Sequence, residues 1–144
     1  MDLNSIYTEI IMEHNSSTRN KRHLQEADVI EKGHNPSCGD EIFLEVKFRE
    51  DIIEDLAFTG TGCAISQASA SMMIDLLKGK SKDEALSLVE TFLGMIKREI
   101  NSEDELEILG DAIALQNISN MPARVKCAVL AWHTLKESVK GRTP

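Results

Sequence analysis

The chain has 144 residues, 42% of them hydrophobic, and its 16 Lys and Arg against 24 Asp and Glu leave a formal charge of −8. That length fits a single domain over 1–144 with a core of its own, so no metal or disulfide is needed merely to hold the chain together. An acidic chain with four Phe, one Tyr and one Trp offers neither the basic stripe nor the stacking surface that nucleic acids bind. No apolar run nears the roughly 20 residues that span a bilayer, and the opening residues carry acids where a signal peptide has a basic start.

Residues 2–15 fit an amphipathic helix with Leu3, Ile6, Ile10 and Tyr7 on one stripe. The polar run 16–25 fits a surface loop, and a short strand is expected near 27–31. A stronger strand spans 41–49, where Ile42, Leu44, Val46 and Phe48 alternate with Phe43, Glu45, Lys47 and Arg49. A turn at Glu50 and Asp51 leads to a further strand over 52–59.

After Gly60-Thr61-Gly62 the period becomes helical. Ile65, Ala68, Met72 and Leu76 mark one face of a helix stopped by Gly79, and its small residues, Ser66 among them, allow close packing on a neighbour. Ser81 with Glu84 is a capping box for the next helix, expected to reach about Ile100. An acidic linker over 103–107 and a weaker helix over 106–115 follow. Pro122 suits the first turn of a last helix capped by Asn120 or Ser119, with Val125, Val129, Trp132 and Leu135 as its buried stripe. The order implies an α+β domain: a small antiparallel sheet of two or three strands, covered by helices on one face.

Three cysteines, Cys38, Cys63 and Cys127, cannot all pair within the chain, and without an export signal they are expected as reduced thiols in the cytoplasm. Cys38 lies in the loop Asn35-Pro36-Ser37-Cys38-Gly39-Asp40, Cys63 opens a helix, and Cys127 sits early in the last helix, off its apolar stripe. Helix amino termini favour thiolate, the form that binds metals and attacks sulfur, and Arg124 and Lys126 add positive charge near Cys127. With Asp40 the three make a four-ligand set for zinc or iron, its net charge partly offset by those two cations. Paired C-x-x-C knuckles are absent, so spacing alone leaves a shared metal site and scattered core thiols both open.

Of the four histidines, His14, His23 and His133 fit surface or satisfied core positions. His34, four residues before Cys38, is weighed as an extra metal contact. The methionines fit gap-filling core positions.

The motifs around Cys38 and Asp40, the stretch Gly60-Thr61-Gly62-Cys63-Ala64-Ile65-Ser66, and Pro122-Ala123-Arg124-Val125-Lys126-Cys127 resemble the three signature stretches of the U-type iron–sulfur scaffold proteins: IscU, the amino-terminal part of NifU, and SufU. Residues 7–20 are similar too, with Thr18 where the family usually has proline. The resemblance implies a three-stranded sheet packed by helices, and it puts Cys38, Asp40, Cys63 and Cys127 on the positions that bind metal or cluster. Three departures, Lys126 where IscU-like members have histidine, no Leu-Pro-Pro-Val-Lys motif, and a longer segment between Cys63 and Cys127, resemble the SufU subgroup, which binds zinc firmly.

The implied function is iron–sulfur cluster assembly, with sulfur received from a cysteine desulfurase, Cys38 as the acceptor and Cys127 as its rival, and clusters passed to carriers or apo iron–sulfur proteins. The alternative is a zinc-dependent sulfurtransferase that relays persulfide sulfur without holding the cluster. A stand-alone cysteine hydrolase lacks a Cys–His motif. A structural zinc module fits poorly with a carboxylate ligand on a loop.

Overall fold

The computed structural model describes residues 3–36 and 39–140. Helix α1 (Leu3–Ser16) leads into a three-stranded sheet of β1 (Val29–Asn35), β2 (Asp40–Arg49) and β3 (Ile52–Thr61), then α2 (Ala64–Leu77), α3 (Lys82–Ile96), a short α4 (Glu103–Leu106), a 3-10 segment (Glu107–Asn120) and α5 (Pro122–Lys140). The sheet is antiparallel in the order β1-β2-β3. This is the expected α+β architecture.

The alternation in β2 does what it predicts. Ile42, Leu44 and Val46 are buried against the helices, where Met72, Met73, Ile74, Trp132 and Leu135 complete the core. The first strand runs further than expected, because its register carries pairing from Val29↔Val46 to Asn35↔Asp40. The outer face of β2 is drier than its charges suggest: Glu45 is buried, its carboxylate bound to His23 Nδ1 at 2.6 Å and to the backbone N–H of Leu24 at 2.9 Å. Residues 20–24 thus lie along the sheet, with Asn20 and Phe58 joined through the Phe58 N–H at 3.0 Å.

In α1 the stripe facing the core is Tyr7, Ile10, Ile11 and His14, while Ile6 is exposed. Helix α3 stops at Ile96, short of the expected Ile100. Arg98 turns to a left-handed φ of 63 and Ile100 folds back onto Gly94, whose carbonyl accepts from Glu99 N at 2.8 Å. A Cβ on Gly94 would stand 2.6 Å from Ile100 Cδ1. Residues 107–120 form 3-10 turns, broken at Gly110 (φ 56, ψ −133), where an ordinary helix is predicted over 106–115. Pro122 opens α5 as expected, but Met121 caps it, its carbonyl taking the Val125 N–H at 3.1 Å.

Two contacts set α5 on α2 and α3. Trp132 stacks on Phe92 with ring centroids 3.9 Å apart, and its Nε1 donates to Ser69 Oγ at 2.8 Å while Ser69 donates to the Ala128 carbonyl at 2.6 Å. Ser69 thus spends its small size on a polar lock between helices, and the fold is pinned one turn beyond Cys127.

Candidate metal centre

Three chain segments meet at one end of the sheet. The first is the link between β1 and β2. Gly39 holds a left-handed φ of 73 and donates its N–H to the Asn35 carbonyl at 2.9 Å, which turns the chain so that Asp40 enters β2 at only 1% exposure. Ser37 and Cys38 of this link lie outside the described residues.

The second segment is the exit of β3. Gly60 pairs so tightly with β2 that a Cβ there would lie 2.2 Å from the Glu41 carbonyl oxygen, and its φ of 122 excludes ordinary side chains. Gly62 then gives way to Cys63, the N-cap of α2, whose sulfur accepts the Ser66 N–H at 3.4 Å. Gln67 Nε2 donates to the Gly62 carbonyl at 2.8 Å and fixes this corner. The sulfur at that N-cap thus lies against the N–H groups of the helix start.

The third segment is the opening of α5, which brings in Cys127. Expected on the flank of the apolar stripe, Cys127 is fully buried at 0% exposure. The helix turns its Cys127, Ala128, Ala131, Trp132 side inward, while Val125 and Val129 are only half-buried. Burial here leads not into the hydrocarbon core but to the other two segments. One ligand atom each from Asp40, Cys63 and Cys127 lies within 4.8 Å of the others, the span of a tetrahedral zinc set to within about an ångström.

The donor chemistry suits a borderline-soft ion: two sulfurs and a carboxylate, mostly dry. Asp40 Oδ1 accepts the Cys63 N–H at 2.9 Å, and its Oδ2 lies 3.9 Å from Cys63 Sγ. One carboxylate oxygen is thus occupied by backbone and the other faces the sulfur. Ser66 Oγ, at 1% residue exposure, finds no hydrogen-bond partner among the described residues. A buried polar atom beside the ligand set, without a partner among the described residues, calls for an account of its own.

Of the other expected residues, Arg124 and Lys126 are exposed on α5, so any offset of anionic charge acts from the surface. His34 is exposed and lies outside the cluster of Asp40, Cys63 and Cys127; in β1 it faces opposite to the buried Gly33 and Asn35. Ser66 was visible in the sequence only as one small residue among several on α2. Its place three residues after a cysteine N-cap is the signal that singles it out.

Known proteins share this arrangement of chain. The family model described as the NifU-like N terminal domain matches residues 6–141. The zinc-dependent sulfurtransferase SufU of Bacillus subtilis is 44% identical over 138 residues, covering 96% of this chain and 92% of SufU. The iron–sulfur cluster assembly scaffold protein IscU of Streptococcus pyogenes is 43% identical over 138 residues, covering 96% of this chain and 85% of its own. The crystal structure of a candidate iron–sulfur cluster assembly scaffold for the SUF system of Fervidobacterium islandicum superposes with a TM-score of 0.84 at 38% identity, covering 94% of this chain and 97% of that one. With a family match over nearly its whole length and a fold shared with these relatives, the chain belongs to the NifU-like N-terminal domain family.

Proposed function

We propose that this protein, a single domain over 1–144, serves iron–sulfur cluster assembly by holding a metal or a nascent cluster on Cys38, Asp40, Cys63 and Cys127 and accepting sulfur from a cysteine desulfurase. The observation that carries this reading is the convergence of Asp40, Cys63 and Cys127 from three separate elements onto one point. Clusters would pass on to carriers or apo iron–sulfur proteins. No helix among the described residues is long and apolar enough to cross a membrane, which agrees with work in the cytoplasm.

Zinc, when bound, keeps the cysteines as thiolates and masks them until they are needed. The residues do the rest. Cys63 and Cys127 anchor the site from helices, Asp40 supplies the weaker oxygen ligand, and Cys38 receives sulfur. In that transfer the Cys38 thiolate attacks the terminal sulfur of the desulfurase persulfide. The sulfur–sulfur bond to the desulfurase cysteine breaks, that cysteine leaves as thiolate, and the persulfide remains on Cys38.

A second reading, a zinc-dependent sulfurtransferase that relays the persulfide without building a cluster, is favoured by Lys126 before Cys127, a departure that resembles the SufU subgroup; the identities to SufU (44%) and to IscU (43%) do not separate the two. Metal analysis of anaerobically purified protein tests the shared site, with one zinc or one small cluster per chain expected. Each single Cys→Ser variant at 38, 63 and 127 should lose most of it, and full metal content in all three would refute the shared site. Cluster reconstitution separates the two readings: a relay keeps zinc and passes sulfur, whereas a scaffold exchanges zinc for a transferable cluster.

A further inference from the structure

Ser66 carries a buried hydroxyl at this corner that neither the fold nor the ligand set uses among the described residues. Its hydroxyl is buried, and its residue is 1% exposed. It stands at the third position of α2, and the sulfur of Cys63 takes its backbone N–H. The hydroxyl has no partner among the described residues. Leaving such a group dry and unbonded is unfavourable, and replacing it with a methyl would remove that penalty unless the hydroxyl gains a bond in another state.

Gly62 shows where that bond lies. A Cβ built on Gly62 would stand 3.0 Å from Asp40 Oδ1 and 3.1 Å from Ser66 Oγ. The carboxylate and the hydroxyl therefore flank one small space that only glycine leaves open. Asp40 Oδ1 already accepts the Cys63 N–H at 2.9 Å and, as a carboxylate oxygen, has a further lone pair to offer. We propose that Ser66 is a positioning residue for the metal centre: in the metal-loaded protein its hydroxyl donates to Asp40 Oδ1, so that two donors hold this oxygen and Oδ2 is left to the metal.

The inference rests on the metal-site reading above. Its chemistry is that of the hydrogen bonds that orient ligating carboxylates generally, whose loss costs about 10–100-fold in metal affinity. Ser66 also explains why Gly62 must lack a side chain: a methyl there would push apart the two groups that have to meet.

The test compares wild type and Ser66→Ala, each prepared metal-free and zinc-loaded. Zinc affinity is measured by competition with a chromogenic chelator, and thermal unfolding is followed in both states. Ser66→Ala is expected to bind zinc at least about 10-fold more weakly while the metal-free variant melts at or above the wild-type temperature. In an Asp40→Ala background the same substitution should change zinc affinity less than twofold, because its acceptor is gone. Unchanged zinc affinity in Ser66→Ala overturns the proposal. So does a lower melting temperature of the metal-free variant, which would make the hydroxyl an ordinary structural bond, and so does a full additive loss in the Asp40→Ala background. Wild type that takes up no zinc would instead remove the metal-site reading itself, an outcome seen before any variant is made.

Discussion

Asp40 Oδ1 accepts the backbone N–H of Cys63 at 2.9 Å, so the carboxylate that offers oxygen to the site also holds the N-cap residue that supplies one of its sulfurs. The two roles compete for different atoms of one group, and this makes Asp40 the natural point of exchange. Carboxylate oxygen binds a borderline-soft ion less firmly than thiolate does. Asp40→Ala should keep the fold, since the sheet register and core do not depend on it, yet release zinc faster. Stopped-flow transfer of zinc to a chelator measures this, with a rise of about tenfold expected. A rate equal to wild type would place Asp40 outside the exchange step.

His14 is predicted to be structural. Its ring is buried, with Nδ1 2.9 Å from Ser71 Oγ and Nε2 3.0 Å from Asp111 Oδ2. Asn20 Nδ2 donates to Ser71 Oγ at 3.0 Å, so Ser71 links the histidine ring to the segment that follows α1. His14→Ala leaves a cavity and removes one of the hydrogen bonds of Ser71, whose oxygen still accepts from Asn20. We expect a loss of about 2–4 kcal/mol in urea unfolding, with zinc content of the folded protein unchanged. A matching loss of zinc would tie this network to the metal centre.

Acid should unfold the protein partly through Asp55. Burial pushes its carboxyl up, but hydrogen bonds from Arg22 (2.7 Å), the Leu56 N–H (2.9 Å) and Lys78 (3.1 Å) outweigh it and hold the value down to about 2 against an ordinary 3.8. A carboxyl lowered in the folded state binds fewer protons there than when unfolded. Its stabilisation is therefore complete above pH 4 and is lost as pH falls toward 2. Between pH 5 and pH 2.5 the urea midpoint should drop, and Asp55→Asn should flatten that drop by on the order of 1–2 kcal/mol, discounted for partial exposure. Equal drops in both proteins would assign acid sensitivity elsewhere, with Asp75, lowered by Arg19 and Asn20 against its own burial, next in line.

What was legible in the sequence was whatever rests on neighbours along the chain. The alternation of Ile42, Leu44 and Val46 gave β2, Ser81 with Glu84 gave the start of α3 with the Ser81 side chain accepting the Glu84 N–H at 3.1 Å, and Pro122 gave the start of α5. Contacts made across the chain were not legible. Asn20 reads as part of a surface loop and His14 as either a surface or a satisfied core residue, because the groups that satisfy them, Ser71, Asp75 and Asp111, lie far away in sequence. The 3-10 turns of residues 107–120 are set by packing on α3 and α2, which overrides the helical pattern of their apolar residues. Asp40, Cys63 and Cys127 were named as partners, yet only the fold joins the second to the third. Stripe arithmetic misplaced Cys127, because the small Ala128 and Ala131 let α5 approach its neighbours on the cysteine side.

The depth of Cys127 bears on the sulfur acceptor. A thiolate that takes sulfur must meet the persulfide of another protein, so access matters as much as ionisation. Cys127 is 0% exposed, and no partner's sulfur reaches it without a local opening. Cys63 is half-buried and its sulfur is tied to the Ser66 N–H. Both are poor acceptors by geometry, and this leaves Cys38 as the expected one. It also changes the order of its rivals, since the half-buried Cys63 is better placed than Cys127. Mass spectrometry after incubation with a cysteine desulfurase and cysteine decides the matter: one added sulfur is expected on wild type, on Cys63→Ser and on Cys127→Ser, and none on Cys38→Ser. Persulfide persisting on a folded Cys38→Ser protein would move the acceptor to whichever cysteine peptide carries the extra sulfur. If that peptide held Cys127, the buried thiol would have to be uncovered when the desulfurase docks, and amide hydrogen exchange in the complex would show whether α5 over residues 122–131 opens to do so.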